Sequence, residues 1–286
     1  MDRAGSMDRR LTFARPDLAA SELAGQVAAE RYADPVAKLI GVPSAPLRAE
    51  PDAALPLDTE LLLGEPFEVL SLDPVWAWGR SSLDGYVGYI PAAALTEDDE
   101  TTHQVTTLAT QIYAAPELKC PPGAVISFGA RVRVTATTDG FAGLPDGGWV
   151  PRDHLKPVEG RATDWVSLTE IFLGCPYVWG GRSAAGLDCS ALIQLARQAG
   201  GFFCPRDSDM QLSLGREIGP ETPLRRGDLI FWKGHVGVMQ DDRTLLHSTA
   251  YTMQVRSEPL EEAVDRIREK EFGEIIRMAR LDPDGD

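Results

Sequence analysis

Residues 177–192 read Tyr-Val-Trp-Gly-Gly-Arg-Ser-Ala-Ala-Gly-Leu-Asp-Cys-Ser-Ala-Leu, and they place Cys189 at the start of an amphipathic segment. Leu192, Ile193, Leu195, Ala196 and Ala199 recur at helical spacing to give a buried stripe. Gly200-Gly201 ends the run as a C-cap pair does, and Asp188 is the expected N-cap. A free thiol titrates near about 8.5 and is mostly protonated at neutral pH. A helix N-terminus, with unpaired N–H groups and roughly half a positive charge, favours the thiolate, and a nearby imidazolium adds a full charge. Position 189 is therefore expected to carry a nucleophile of lowered pKa, with its own main-chain N–H as an oxyanion donor.

Two histidines downstream supply a base and its partner. His235 lies in Gly-His-Val-Gly-Val-Met and His247 in Leu-Leu-His-Ser, and both segments read as strands of one antiparallel hairpin turning at Asp241-Asp242. The histidines are equidistant from Asp241. A turn centred there makes them cross-strand neighbours with Cβ atoms roughly 5 Å apart, and a one-residue bulge makes them diagonal. His235 is the expected base, and His247 the group that fixes its tautomer. Cys120, Cys175 and Cys204 read as small buried hydrophobes.

These residues resemble the NlpC/P60 cysteine peptidases, which cleave the peptide stems of bacterial cell walls on a papain-like α+β core. The resemblance runs from about Trp165 to the C-terminus. It rests on Tyr177-Val-Trp179-Gly-Gly, Leu187-Asp188-Cys189-Ser190, Pro205-Arg206-Asp207-Ser208-Asp-Met-Gln211, Gly227-Asp228-Leu-Ile-Phe-Trp, Gly234-His235-Val-Gly-Val and Leu246-His247-Ser248. One departure is Ala191, where many members carry glycine. The resemblance implies Cys189 as nucleophile, His235 as base and His247 as orienting residue. It implies that the Tyr177 hydroxyl faces the tetrahedral intermediate and that Trp179, Asp188, Ser190, Asp207 and Ser208 hold substrate. For Arg206-Asp207-Ser208 a plain helix N-terminus capped by Ser208 stands as the alternative.

At 286 residues the chain supports two or three cores. Its 28 basic and 43 acidic side chains give a formal charge of −15, which repels nucleic acid and anionic lipid surfaces. The opening residues contain no apolar stretch of signal-peptide length, and nothing elsewhere approaches a membrane span. Four scattered cysteines form no C-x-x-C pair, so neither a zinc site nor a disulfide framework is expected. A cytoplasmic enzyme without metal or organic cofactor is the expectation, with signal-independent secretion left open.

Four segments are expected. Residues 1–35 read as a helical arm, with a helix from Leu18 whose Leu18, Leu23 and Val27 form a narrow stripe packed on a neighbour. Residues 36–98 carry short strands between Pro, Gly and Asp turns and resemble a bacterial SH3 domain. Residues 99–160, after the acidic linker Thr96–Thr102, repeat that scheme weakly and end in a similar turn-strand-Pro pattern. Residues 161–286 complete the set, giving an α+β, papain-like catalytic domain preceded by two small SH3-like β-barrels. In related cytoplasmic members the adjoining barrel is thought to close the site around a free L-Ala, which implies Glu65, Trp78, Tyr86 or Tyr89 as substrate contacts. Barrel core and turn roles are the alternative.

The expected activity is that of a γ-D-glutamyl-L-diamino-acid endopeptidase acting on free murein peptides, L-Ala-γ-D-Glu-diamino acid with meso-diaminopimelate or Lys. A lytic hydrolase acting on polymeric wall outside the cytoplasm and a non-catalytic murein-peptide binding protein are its rivals.

Overall fold

The computed structural model describes residues 7–97, 99–159 and 164–282. The opening Met1–Ser6 and the expected boundary at 160/161 lie outside the described residues. The chain divides into two compact units, 1–101 and 102–286, and the division falls within the acidic stretch read as a linker.

In the first unit, an antiparallel five-stranded sheet runs in the order Val87–Pro91, Trp76–Ser81, Pro66–Leu72, Val36–Ile40 and Leu95–Glu97. A hairpin of Ser44–Leu47 and Thr59–Leu62 accompanies it. Ile40, Leu47, Leu62, Phe67 and Ile90 form the interior. This is the small barrel that the alternation of short apolar runs and turn residues implies.

The expected helix from Leu18 is absent among the described residues. Its place is taken by a 3-10 turn at Ser21–Leu23 and a two-residue parallel pairing of Ala19–Ala20 with Tyr32–Ala33. Gly25 sits at φ +82°, which no helix interior allows. The apolar residues instead pack on the barrel, where Phe13, Leu18 and Ala20 cluster with Trp78 and Val87. Alanine-rich helix propensity yields here to burial of a few large side chains, a common tertiary override. The arm belongs to the first unit, and its Arg15 guanidinium lies 4.4 Å over the Trp78 ring and donates to the Tyr89 hydroxyl at 2.8 Å.

The second unit opens with two small antiparallel sheets over 103–157. They close with Trp149–Pro151, a 3-10 turn at Arg152–His154 and Leu155–Pro157, as the first barrel closes with Val87–Pro91, Ala92–Ala94 and Leu95–Glu97. This part is joined to the remainder of the unit. The Phe128 and Phe172 rings meet edge-on at 5.2 Å, Gln104 donates to the Ala199 carbonyl, and Ala184 N–H donates to Ser127 Oγ at 3.0 Å.

The rest of the unit is α+β. Helices α1 (Val166–Glu170), α2 (Cys189–Ala199), α3 (Ser208–Gln211) and α4 (Leu260–Lys270) accompany strands β1 (Arg216–Glu217), β2 (Leu229–Trp232), β3 (His235–Met239), β4 (Thr244–Thr249), β5 (Gln254–Pro259) and β6 (Arg277–Arg280). The sheet order is β1-β6-β2-β3-β4-β5. Ala263 and Ile267 of α4 bury one sheet face with Ile230, Trp232, Met239 and Leu245. The opposite face is fastened to the segment before α2, because Ser248 Oγ donates to the Leu187 carbonyl at 2.7 Å. Among the described residues no helix is long and apolar enough to cross a membrane.

Candidate active site

Helix α2 begins and ends where its caps require. Asp188 is the N-cap and its Oδ1 accepts from Ala191 N–H at 2.8 Å. At the far end Gly201, at φ +83°, takes the left-handed turn past the Gly200 C-cap. Cys189 thus occupies the first helical position. The N–H groups of Val236 and Ser190 both face its sulfur, and Val236 directly follows His235.

The two imidazoles meet diagonally. Val238 pairs with Leu246 and Met239 with Leu245, and this register continued sets His247 opposite Gly237 and His235 opposite Thr249. The turn is therefore centred on Asp242, while the Asp241 carboxylate holds it by accepting from Arg243 N–H, Thr244 N–H and Thr244 Oγ1. Both rings keep to one sheet face, with His235 Nε2 and His247 Nδ1 2.9 Å apart. His235 Nδ1 is the ring nitrogen that His247 does not engage. Phe272 stacks on the His235 ring at 5.1 Å and 8°, which fixes the plane of the base.

Gly237 provides the space for this crossing. A Cβ at that position would stand 2.8 Å from Leu245 Cδ1 and 3.2 Å from His247 Cβ. Gly237→Ala is expected to push the His247 strand outward and lower kcat/KM by about tenfold or more. Overpacking there should destabilise the fold by about 1–3 kcal/mol. Steady-state rates beside a urea titration check both effects.

Below His247 the sequence expectation is incomplete. His247 Nε2 lies 2.7 Å from Glu258 Oε1, and Glu258 is bound by Arg266 of α4. His247 is fully buried, and the Glu258 side chain is 5 % exposed. Burial tends to raise the Glu258 carboxyl, yet its contact with His247 and the nearby Arg266 and Arg256 outweigh this and hold it below the ordinary value. No local motif marks Glu258. Only alternation within β5 and its distance of two residues from Arg256, which pairs with His247, give a retrospective signal.

The electrostatics of the resting site reverse the expectation of a lowered thiol pKa. Burial pushes the Cys189 thiol up to about 12, with the Asp188 charge adding to it, and the Val236 and Ser190 N–H groups and Arg206 offset only part. Burial, followed by His247 and Arg266, depresses His235 well below 6.5. Desolvation disfavours the charged form of each group and exceeds the helix-terminus effect. The resting pair is thiol and neutral imidazole.

Asp188 and Ser190, which the resemblance implies as substrate contacts, are also tied within the chain. Arg206, whose side chain is 0 % exposed, donates Nη2 to Asp188 Oδ2 at 2.7 Å and Nη1 to Oδ1 at 2.9 Å. Arg206 Nη1 also reaches Ser190 Oγ, and Ser190 Oγ and Gly180 N–H donate to the same carboxylate. Gln211, buried, donates from Nε2 to the carbonyls of Ser190 and Pro205 at 2.9 Å. Together these bonds lock the entry of α2. The sequence offers no local sign of Arg206 as the partner, because 18 residues separate it from Asp188.

Tyr177 is half-buried, and its phenol is driven well above its ordinary value by burial, then by Cys189 and Asp188, so it stands beside the thiol as a neutral donor. Trp179 is 69 % exposed. Asp207 and Ser208 are half-buried at the start of α3, where Asp207 and not Ser208 holds the N-cap position. Glu65 is buried and closes its own turn, its Oε2 accepting from Leu62 N–H at 3.0 Å. Tyr86 and Trp78 are buried as well. Cys175 and Cys204 are buried, and burial raises the Cys175 thiol to about 11, as for inert core thiols. Among the described residues no group of His, Cys, Asp and Glu is arranged to hold a metal ion.

A thiol at a helix start, backed by two imidazoles and a carboxylate, serves acyl transfer through sulfur, and the protein is by class a cysteine peptidase. The NlpC/P60 family model matches residues 174–270, and the model for the bacterial dipeptidyl-peptidase Sh3 domain matches 47–95. A γ-D-glutamyl-L-lysine dipeptidyl-peptidase of Bacillus cereus is 28% identical over 239 residues, 71% of each chain. A protein of the same description from Bacillus subtilis is 37% identical over 98 residues, 32% of this chain and 33% of that one. The crystal structure of an NlpC/P60 family protein from Bacillus cereus superposes with a TM-score of 0.73 at 22% identity, covering 86% of this chain and 99% of that one, and shares the fold. The chain therefore carries an NlpC/P60 domain, with a bacterial SH3 domain ahead of it.

Proposed function

We propose that this peptidase hydrolyses the amide between γ-D-glutamate and the L-diamino acid of free murein peptides, in recycling of cell-wall peptides inside the cytoplasm. The observation that carries the reading is the sulfur of Cys189 beside the His235–Val236 backbone, with His235 Nε2 held by His247. The Bacillus relatives named for γ-D-glutamyl-L-lysine cleavage support the bond class. All four cysteines are free, which suits a reducing compartment.

In this mechanism the thiol proton passes to His235 Nδ1 as sulfur attacks the γ-carbonyl. Charging both groups together lets their attraction offset desolvation, about 4 kcal/mol at 4 Å for an effective dielectric constant of 20. The oxyanion faces the Cys189 N–H and the Tyr177 hydroxyl. His235 returns the proton to the leaving amine, and the acyl-thioester is then cleaved by water with His235 again as base. No metal or organic cofactor takes part in these steps.

Substrate length is the test. L-Ala-γ-D-Glu-meso-diaminopimelate should be cleaved at least about tenfold faster than its N-acetyl derivative and than intact sacculi, since a charge-assisted contact to the free amine is lost on acetylation. Preference for sacculi would turn the reading toward a wall-lytic enzyme.

A further inference from the structure

We propose that Glu258, held by Arg266, is a positioning residue that dictates which nitrogens of the two histidines carry protons, and so makes His235 a base toward Cys189. The inference rests on the assignment of Cys189 and His235 as nucleophile and base.

The geometry is a staircase across three strands. His235 on β3, His247 on β4 and Glu258 on β5 share one sheet face, each one register step from the next, since Glu258 pairs with Leu245 and His247 with Arg256. The links measure 2.9 Å and 2.7 Å.

An ionised carboxylate only accepts, so His247 Nε2 must carry the proton toward Glu258. Neutral His247 then presents a lone pair at Nδ1 and accepts from His235 Nε2–H. His235 Nδ1 is thereby left without a proton, as a base assigned to the thiol requires. Were the His247 proton on Nδ1 instead, His235 would accept at Nε2 and carry its own proton on Nδ1. A thiol would then meet an N–H, and no base would be present.

The charges around Glu258 keep it ionised. Arg266 reaches it from α4 while also pairing with Glu271, and Arg256 Nη2 lies 3.8 Å from Glu258 Oε2. Arg266 further covers the Tyr251 ring at 4.5 Å, with Lys270 5.8 Å from that ring. Because Arg266 retains Glu271, neutralising Glu258 with an isosteric amide leaves the guanidinium a partner.

The experiment combines ring-nitrogen NMR of the histidine-labelled full chain with kinetics on L-Ala-γ-D-Glu-meso-diaminopimelate. In the wild type, His247 is expected as the Nε2–H tautomer. In Glu258→Gln that preference is lost, kcat falls about 10- to 100-fold and KM stays within about twofold. The acid limb of the rate profile should move to lower pH, because loss of the negative charge disfavours imidazolium at His235. A purely structural role would lower the active fraction without moving the limb. Wild-type His247 protonated on Nδ1 would overturn the proposal, and so would wild-type kcat and pH limbs in Glu258→Gln. The wild-type tautomer is read without any substitution, so a variant that fails to fold leaves that test in place. Activity persisting in Cys189→Ala would instead remove the underlying nucleophile assignment, which separates the two failures.

Discussion

Cys189→Ala is expected to lower turnover of L-Ala-γ-D-Glu-meso-diaminopimelate by at least about 10⁴-fold, because every bond-making step passes through the sulfur. The fold should hardly notice. Alanine is the better helix former at the first position of α2, and the entry of that helix is fixed by Asp188, Arg206 and Gln211 rather than by the thiol. Unfolding in urea is expected within about 1 kcal/mol of the wild type. An inactive but unfolded variant would leave the sulfur's role undecided, so both measurements are taken on one preparation. Substantial turnover in a folded variant would end the nucleophile assignment.

Arg206→Met is expected to have the largest effect on stability, about 3–5 kcal/mol. The substitution removes a guanidinium with no solvent exposure and leaves the Asp188 carboxylate with its Gly180, Ser190 and Ala191 donors but without a countercharge. Asp188 caps α2, so loosening this pair also releases Cys189, and kcat should fall in the residual folded fraction. The double variant Asp188→Asn with Arg206→Met should recover part of the lost stability, since no unpaired charge remains. Urea titrations of the three proteins decide the matter, and a loss under about 1 kcal/mol for the single variant would contradict a buried, interdependent pair.

Local chemistry was legible where neighbours along the chain carried it. The N-cap at Asp188, the stripe of α2 and its glycine end occupy the residues that spacing indicates. The hairpin bearing the histidines was legible as a hairpin, but its centre fell at Asp242, because the Asp241 side chain captures the following N–H groups and shifts the turn by one residue. The N-terminal arm has a helix-like sequence but forms no such helix, since Phe13 and Leu18 gain more by covering Trp78 than an alanine-rich helix gains alone. The thiol pKa departs from the sequence expectation for a related reason. A helix start is visible in sequence, whereas depth of burial is not.

By itself the order of residues determined that a cysteine opens a capped helix, that two histidines lie on adjoining strands, and that a small barrel precedes them. These features depend on periodicity, caps and turns, which act over a few residues. Only the tertiary structure decided that Arg206 neutralises Asp188, that Glu258 and Arg266 stand behind His247, and that burial keeps the resting thiol protonated. Each of these depends on charges and surfaces brought together from distant parts of the chain, where the interaction energy is set by distance and solvent exclusion rather than by spacing in the sequence.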